Sequence, residues 1–279
     1  MKISIPMKRF NVIITGLVLC TIVVIGALAW MVRELRREAR HRYYQTIADQ
    51  KEEEITITIP EGYRREQIAA VLEEKGITGA DDFVQATKND EGMLFPDTYR
   101  FFPSTTANEV RDRLHSTYDE KIAPLGTVSK EVLIIASIVE REARTDAERA
   151  DIAGVYWNRY NAGFGLGADP TVQYGKETNA LNEQLTSATT AADRGAVLRG
   201  FGFWQPITRA DYTGVNSAYN TYKITTLPPG PICNPGVASI TAALHPTEHQ
   251  YYYFFHTADG TAIYSKTLEE HNRNKVTYL

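Results

Sequence analysis

The stretch Leu133-Ile134-Ile135-Ala136-Ser137-Ile138-Val139-Glu140 decides the fold, because an almost unbroken apolar run ends there in a carboxylate. Ser129 has the side chain of a helix N-cap and Glu131 falls in the first turn, so the sequence predicts a helix that ends near Arg144. The apolar side chains point in every direction around this helix, and a helix that is apolar on all sides is buried. We therefore expect a core helix around which the other elements pack.

Glu140 lies about one turn before the predicted end of this helix, against apolar surface. Burial and the negative end of the helix dipole both disfavour a charged carboxylate, so Glu140 is a candidate general acid with a raised pKa. A half-exposed Glu140, or one paired with Arg141 or Arg144, explains the helix equally well. Glu142 lies about 200° around the helix from Glu140, and we interpret it as a structural or solvated partner of the arginines.

The composition indicates a globular chain preceded by a membrane anchor. The chain has 279 residues, of which 43% are hydrophobic, and this suffices for one large or two modest domains. A net charge of −4 argues against nucleic acid as a partner, because such binding depends on Lys and Arg. Residues 10–32 carry no charge, and this run is long enough to cross about 30 Å of hydrocarbon. Positive charges are more numerous after the run than before it, which by itself favours a cytoplasmic C-terminal part.

A small unit follows the anchor. The alternation at Ile55–Ile59 predicts a strand, residues 68–76 and 81–87 predict two short helices, and residues 99–102 predict a return strand, which together form a β-α-α-β unit. The predicted divisions of the chain are 1–32 for a cytoplasmic tip and anchor, 33–54 for a charged juxtamembrane linker, 55–102 for the small unit, and 103–279 for a larger domain.

The larger domain is predicted to be of the mixed α+β class. Helices at 107–125, around Glu140, and from Thr145 to near Gly163 are expected to form a three-helix core. Residues 176–204 are predicted to be irregular, while residues 251–255 and 261–264 predict a C-terminal hairpin that is followed by a terminal helix.

Five sequence blocks, in the same order, resemble the YceG-like (MltG) family of endolytic murein transglycosylases. These blocks are Glu91–Tyr99 (EGMLFPDTY), Ala136–Glu142 (ASIVERE), Asp169–Gly175 (DPTVQYG), Tyr219–Tyr222 (YNTY) and Leu227–Ile232 (LPPGPI). The resemblance implies a single-pass protein of the inner (cytoplasmic) membrane, in which residues 55–102 form a LysM-like unit and the catalytic domain is extracytoplasmic. It assigns catalysis to the first Glu of the SIVE block, here Glu140.

The resemblance also implies a mechanism with one carboxylate. Glu140 would protonate the β-1,4 bond between N-acetylmuramic acid (MurNAc) and N-acetylglucosamine (GlcNAc) and would then take the proton of the muramyl C6 hydroxyl. That hydroxyl would close on C1 to leave a 1,6-anhydro end and terminate elongation of a nascent glycan strand. The implied partners are peptidoglycan glycan strands, with peptidoglycan synthases left open.

Polar and aromatic side chains in these blocks suit acetamido sugars, which need hydrogen-bond partners and a stacking surface. The candidate substrate-binding residues are Asp169, Gln173, Tyr174, Tyr219, Asn220, Thr221 and Tyr222. Asp169 can alternatively be interpreted as a helix N-cap or turn residue. The polar residues from 219 to 222 can alternatively form a loop whose side chains hydrogen-bond to its own backbone.

Two other functions remain open on the sequence. One is a muramidase-type hydrolase in which Asp169 activates water, and the other is a non-catalytic peptidoglycan-binding scaffold. No metal or other cofactor is expected, because Pro246 disrupts the helical spacing of His245 and His249. No intrachain disulfide is expected between Cys20, in the apolar run, and Cys233.

Overall fold

The computed structural model describes residues 24–40, 42 and 53–279. The chain separates into two compact units, Met1–Glu53 and Glu54–Leu279. In the first unit, residues 24–40 and 42 are helical, and most of the predicted anchor (10–23) lies outside the described residues. Among the described residues, no single helix combines the length and the apolar composition needed to cross a membrane.

The second unit begins with the predicted β-α-α-β order. It comprises β1 (Ile55–Thr58), α1 (Arg65–Glu74), α2 (Ala80–Ala86) and β2 (Thr98–Phe101). The strands are antiparallel, with Ile57 opposite Tyr99, and their apolar side chains face a core that Leu72 and Phe83 complete. The order of these elements is confirmed, whereas their LysM-like identity stays a prediction.

The main core differs from the predicted three-helix core. The helices that pack together are α4 (Lys130–Glu142), α5 (Arg149–Asn161) and α9 (Val237–Leu244). The predicted third member, α3 (Ala107–Ile122), instead buries Val110 and Leu114 in the N-terminal core. The prediction was wrong because α9 is short, and its core side chains are mostly small ones that allow close approach of helices but give a weak sequence pattern. The mixed α+β class itself is confirmed, with mostly helices and two small sheets.

Residues 176–204 are largely helical, so the prediction of an irregular stretch was wrong. The elements there are α6 (Asp169–Ser187) and α7 (Ala191–Gly200), and the Thr190 side chain caps α7 by accepting from the Asp193 amide. The buried side of α6 includes Glu177, which pairs with the buried guanidinium of Arg64 at 3.4 Å. Because a charge occupies a core position, the apolar period that predicts a helix is missing.

The C-terminal elements follow the sequence prediction. The hairpin comprises β3 (Tyr253–His256) and β4 (Ala262–Ser265), and α10 (Leu268–Tyr278) follows it. Short elements complete the fold: 3₁₀ turns at Ala123–Leu125 and Asp146–Glu148 and the single turn α8 (Asp211–Gly214). β3 packs on α5, and α10 packs on both strands, so the hairpin and α10 stand beside the C-terminal end of α4.

Candidate functional site

A cavity of about 300 Å³ lies where the end of α4 meets the start of α6, the hairpin and α10. Its lining includes the carboxylates Glu142 and Asp169 and three tyrosines, Tyr156, Tyr212 and Tyr222. The cavity is also lined by the basic side chains Arg159, His256, His271 and Lys275. The cavity therefore combines two carboxylates with phenol donors and positive charge.

Glu142 is the last residue of α4, at the negative end of that helix. The Tyr156 hydroxyl donates to Glu142 Oε1 at 2.9 Å. Burial, and to a lesser extent the charge of Asp169, raise the pKa of Glu142 to about 7, although the Tyr156 hydrogen bond and Arg159 oppose the rise. A carboxyl with this pKa still holds a proton near neutral pH and can give it to a leaving oxygen.

Asp169 is the first residue of α6, and the N-cap of that helix is Ala168. Its side chain instead accepts from two phenols: Tyr222 donates to Oδ1 at 2.6 Å and Tyr212 to Oδ2 at 3.3 Å. The two tyrosine rings stack with centroids 4.4 Å apart. Burial and the bond to Asp169 raise the pKa of Tyr222, so its hydroxyl remains a donor. Asp169 is thus fixed in the cavity by tyrosines rather than used as a cap.

Glu140 is not among the residues that line this cavity. Its Oε1 lies 3.2 Å from a guanidinium nitrogen of Arg149, and its Oε2 accepts from the Gly236 amide at 3.0 Å. The Glu140 side chain is 6% exposed. Its partner is therefore Arg149 rather than either arginine suggested by the sequence, while Arg141 stacks on Trp204.

Asn220 and Thr221 are fully buried and bind backbone groups of the protein. The Asn220 amide donates to Val215 O at 2.9 Å, and its Oδ1 accepts from the Tyr222 amide. Thr221 Oγ1 accepts from the Ala168 amide at 2.9 Å. Both side chains brace the loop that carries Tyr222 against the start of α6, as in the alternative of a loop bonded to its own backbone.

The other candidate side chains lie away from this cavity. The Tyr174 ring packs under the guanidinium of Arg64 at 4.1 Å and against Tyr219, with ring centroids 4.5 Å apart. The Gln173 amide donates to Gln205 O at 3.1 Å. Of the residues singled out by the sequence, Asp169 and Tyr222 are thus brought together in the cavity.

Sequence reasoning missed Glu142, Tyr156 and the residues contributed by α10. Glu142 was recognised as facing away from Glu140, but the side of α4 that borders a cavity depends on elements distant in sequence. No three His, Cys, Asp or Glu side chains within the described ranges gather as metal ligands. The ring of His249 is used structurally, since its Nδ1 accepts from the Tyr251 amide.

Comparison with known proteins gives a consistent result. The model of the YceG-like family matches residues 34–277. The chain is 31% identical over 237 residues to an endolytic murein transglycosylase of Bacillus subtilis, covering 78% of this chain and 59% of that protein. It is 26% identical over 260 residues to an endolytic murein transglycosylase of Streptococcus pneumoniae, covering 78% of this chain and 44% of that protein. The chain spans about half the length of these curated relatives.

A solved structure is also similar. The crystal structure of a YceG-like protein from Listeria monocytogenes superposes with a TM-score of 0.57 at 28% identity, covering 78% of this chain and 75% of that one. Since the family model matches nearly the whole described second unit, the chain belongs to the YceG-like family.

Proposed function

We propose that this protein is an endolytic lytic transglycosylase that cleaves the β-1,4 bond between MurNAc and GlcNAc in peptidoglycan. Membership of the YceG-like family and the names of the curated relatives support the substrate class. The observation that carries the chemistry is the Glu142 carboxyl, whose pKa is raised to about 7 in a cavity that also contains Asp169.

The proposed reaction uses Glu142 twice. Protonated Glu142 gives its proton to the glycosidic oxygen, the bond from that oxygen to the muramyl C1 breaks, and GlcNAc leaves with a free hydroxyl. The Glu142 carboxylate then accepts the proton of the muramyl C6 hydroxyl as O6 bonds to C1. The 1,6-anhydro ring forms without water, because the nucleophile belongs to the substrate. The Asp169 carboxylate would stabilise the positive charge that develops on the sugar ring.

Glu142 is preferred to Glu140, the residue favoured on sequence grounds, for two reasons. Glu142 lines the cavity, and its pKa is raised by burial. Glu140 does not line this cavity, and its two oxygens are instead bound by the Arg149 guanidinium and the Gly236 amide. We propose that Glu140 joins α4 to the start of α9 and α5, and that Glu142 performs the chemistry.

A muramidase-type hydrolase is the second candidate, because Asp169 lines the same cavity as Glu142. In that reaction Asp169 would activate water or attack C1, and the product would have a reducing end. The tyrosine hydrogen bonds occupy both oxygens of Asp169, which favours an electrostatic role over proton transfer. A non-catalytic scaffold gives no reason to bury an acid beside a cavity.

Product analysis tests the proposal. The full-length protein is incubated with purified peptidoglycan, and the released glycans are identified by mass spectrometry. We expect 1,6-anhydro ends from the wild type, none from Glu142→Gln, and a substantial yield from the matched variant Glu140→Gln. Reducing ends from the wild type would favour the hydrolase, and activity retained in Glu142→Gln but lost in Glu140→Gln would restore Glu140 as the acid.

The cellular setting is part of the same proposal. We propose that residues 10–32 anchor the protein in the inner membrane, that residues 55–102 form a LysM-like unit, and that the catalytic domain (103–279) is extracytoplasmic. Cleavage close to the membrane would let the enzyme terminate nascent strands, with peptidoglycan synthases as partners. A reporter active only outside the cytoplasm, fused after Leu279, should then be active, whereas an inactive reporter would contradict this topology.

A further inference from the structure

We propose that α10 supplies a carboxylate-binding wall to the catalytic cavity, where Lys275 and His271 hold an anionic group carried by the muramyl residue of the substrate. This inference rests on the proposed function, since it assigns a specificity element to the same cavity. Neither residue belongs to the sequence blocks that indicated the family.

The placement of the two side chains is the first observation. Lys275 lies four positions after His271 on α10, so both lie on one face of the helix. Both line the cavity that contains Glu142 and Asp169. A helix outside the α4–α5–α9 core thus contributes one wall of the candidate active site.

The second observation is that the polar groups of this wall are unused. His271 packs its ring against Phe255 and Tyr253, each with centroids 5.5 Å away, yet its buried Nδ1 has no hydrogen-bond partner among the described residues. The Lys275 ammonium forms no ion pair with any residue in the described ranges. On the same helix, by contrast, Arg273 pairs with Glu269 at 2.5 Å. A buried polar atom without a partner is expensive, so a ligand is expected to complete it.

The third observation is the charge of the neighbouring groups. Arg159 also lines the cavity, and its guanidinium donates to the carbonyl oxygens of Tyr252 and Leu166, neither of which neutralises it. His256, in contrast, is paired with Glu148 at 3.1 Å. Burial and, to a lesser extent, the nearby positive charges of Lys275 and Arg159 lower the pKa of His271. Lys275 and Arg159 therefore bring positive charge to the cavity that no direct ion pair among the described residues neutralises.

A muramyl residue has the chemistry that fits such a cavity. Its glycosidic bond is neutral and belongs near Glu142, while its lactyl ether ends in a carboxyl group that extends away from the ring. In peptide-free strands that carboxyl is ionised, and in peptide-bearing strands it is amidated and the stem peptide carries carboxylates instead. Either source presents an anion to the Lys275 ammonium and a hydrogen-bond partner to His271.

The test compares three variants of the full-length protein on two substrates. The variants are Lys275→Gln, the charge-retaining Lys275→Arg, and the matched control Arg273→Gln, which removes the same charge from the same helix away from the cavity. The substrates are peptide-bearing glycan strands and strands from which an amidase has removed the peptides. We expect Lys275→Gln to raise KM about fivefold with little change in kcat, as for the loss of one partly exposed ion pair. Lys275→Arg and Arg273→Gln should keep the wild-type KM.

The substrate identifies the anion. A rise in KM for peptide-bearing strands alone would assign the stem-peptide carboxylates, and a rise for the stripped strands would assign the lactyl carboxylate. An unchanged KM for Lys275→Gln on both substrates, or an equal rise for Arg273→Gln, would overturn the inference.

A binding measurement separates this inference from the proposed function. Affinity for soluble muropeptides is measured with Glu142→Gln and with the double variant Glu142→Gln/Lys275→Gln. Neither variant has to cleave the substrate for its binding to be measured. Weaker binding by the double variant supports the carboxylate-binding wall, even if the wild type releases no anhydro product. The absence of anhydro product would contradict the proposed function but not the wall. Equal binding by the two proteins overturns the wall whatever the activity.

Discussion

Replacing Glu142 by Gln should stabilise the fold at alkaline pH while it removes the proposed acid. The pKa of Glu142 rises from 4.5 in the unfolded chain to about 7 in the folded protein. The folded state therefore binds more protons between these values, so stability present below pH 4.5 is lost as the pH rises to about 7. At ~1.4 kcal/mol per pH unit, the charged form costs the fold ~3 kcal/mol above pH 7.

A Gln side chain avoids this cost, because it is uncharged and its amide oxygen can still accept from Tyr156. We expect the free energy of unfolding of Glu142→Gln at pH 8 to exceed that of the wild type by up to ~3 kcal/mol, with the difference close to zero at pH 4. Urea titrations of the full-length protein in mild detergent, followed by circular dichroism at both pH values, measure it.

Glu140→Gln is the matched control, and the opposite sign is expected. Glu140 is paired with Arg149, whose side chain is 11% exposed, so removing the carboxylate leaves a largely buried guanidinium with one partner fewer. A loss of ~1–2 kcal/mol at pH 8 follows. Destabilisation of Glu142→Gln at pH 8 by as much as Glu140→Gln would refute the assignment of a costly buried charge to Glu142.

Three further substitutions test the site and its support. Tyr222→Phe removes the hydroxyl that binds Asp169 at 2.6 Å, so kcat/KM should fall about tenfold with the melting temperature little changed. Asn234→Ala should lower the free energy of unfolding by ~3 kcal/mol or more, because the fully buried Asn234 accepts from two backbone amides that would lose their partner. Gly92→Ala should lower the free energy of unfolding by ~2–3 kcal/mol, because Gly92 has a φ of +94° and an added Cβ would lie 2.6 Å from Pro231. Urea titration measures the loss of stability of Asn234→Ala and of Gly92→Ala.

Each of these three substitutions has a matched control substitution elsewhere in the protein. Tyr212→Phe removes a longer bond to Asp169, so its effect on kcat/KM should be smaller than that of Tyr222→Phe. Gly126→Ala introduces a similar backbone strain in open space, so it isolates the steric part of the Gly92 result. An exposed amide, Asn108, should change stability by less than ~0.5 kcal/mol when replaced by Ala. Reversal of any of these orders would contradict the contacts described.

The elements that the sequence predicted well are those whose signals are local. The Ser129 cap and the apolar run gave α4, and alternation with turn residues gave the β-α-α-β order and the C-terminal hairpin. The long helix α6 was missed because its buried side includes Glu177, which is satisfied by Arg64 from a segment more than a hundred residues away. Such a pairing is set by tertiary contact, which no local pattern reveals.

The site was partly predictable for the same reason. Asp169 and Tyr222 were named from their sequence blocks, and they meet in the cavity. The choice between Glu140 and Glu142 could not be made from α4 alone, because the two carboxylates face opposite sides and the helix carries no signal for which side borders α6. Tertiary contacts distinguish the two carboxylates, because Glu142 lies buried near Asp169 whereas Glu140 pairs with Arg149.

The proposed mechanism requires that Glu142 retains its proton to near neutral pH. Carbon-13 NMR of protein labelled at the Glu carboxyl carbons, with Glu142→Gln used to assign the signal, measures that titration directly. We expect a titration midpoint near pH 7 for Glu142. A midpoint close to the ordinary 4.5 would leave the cavity without an acid and would contradict the proposed mechanism.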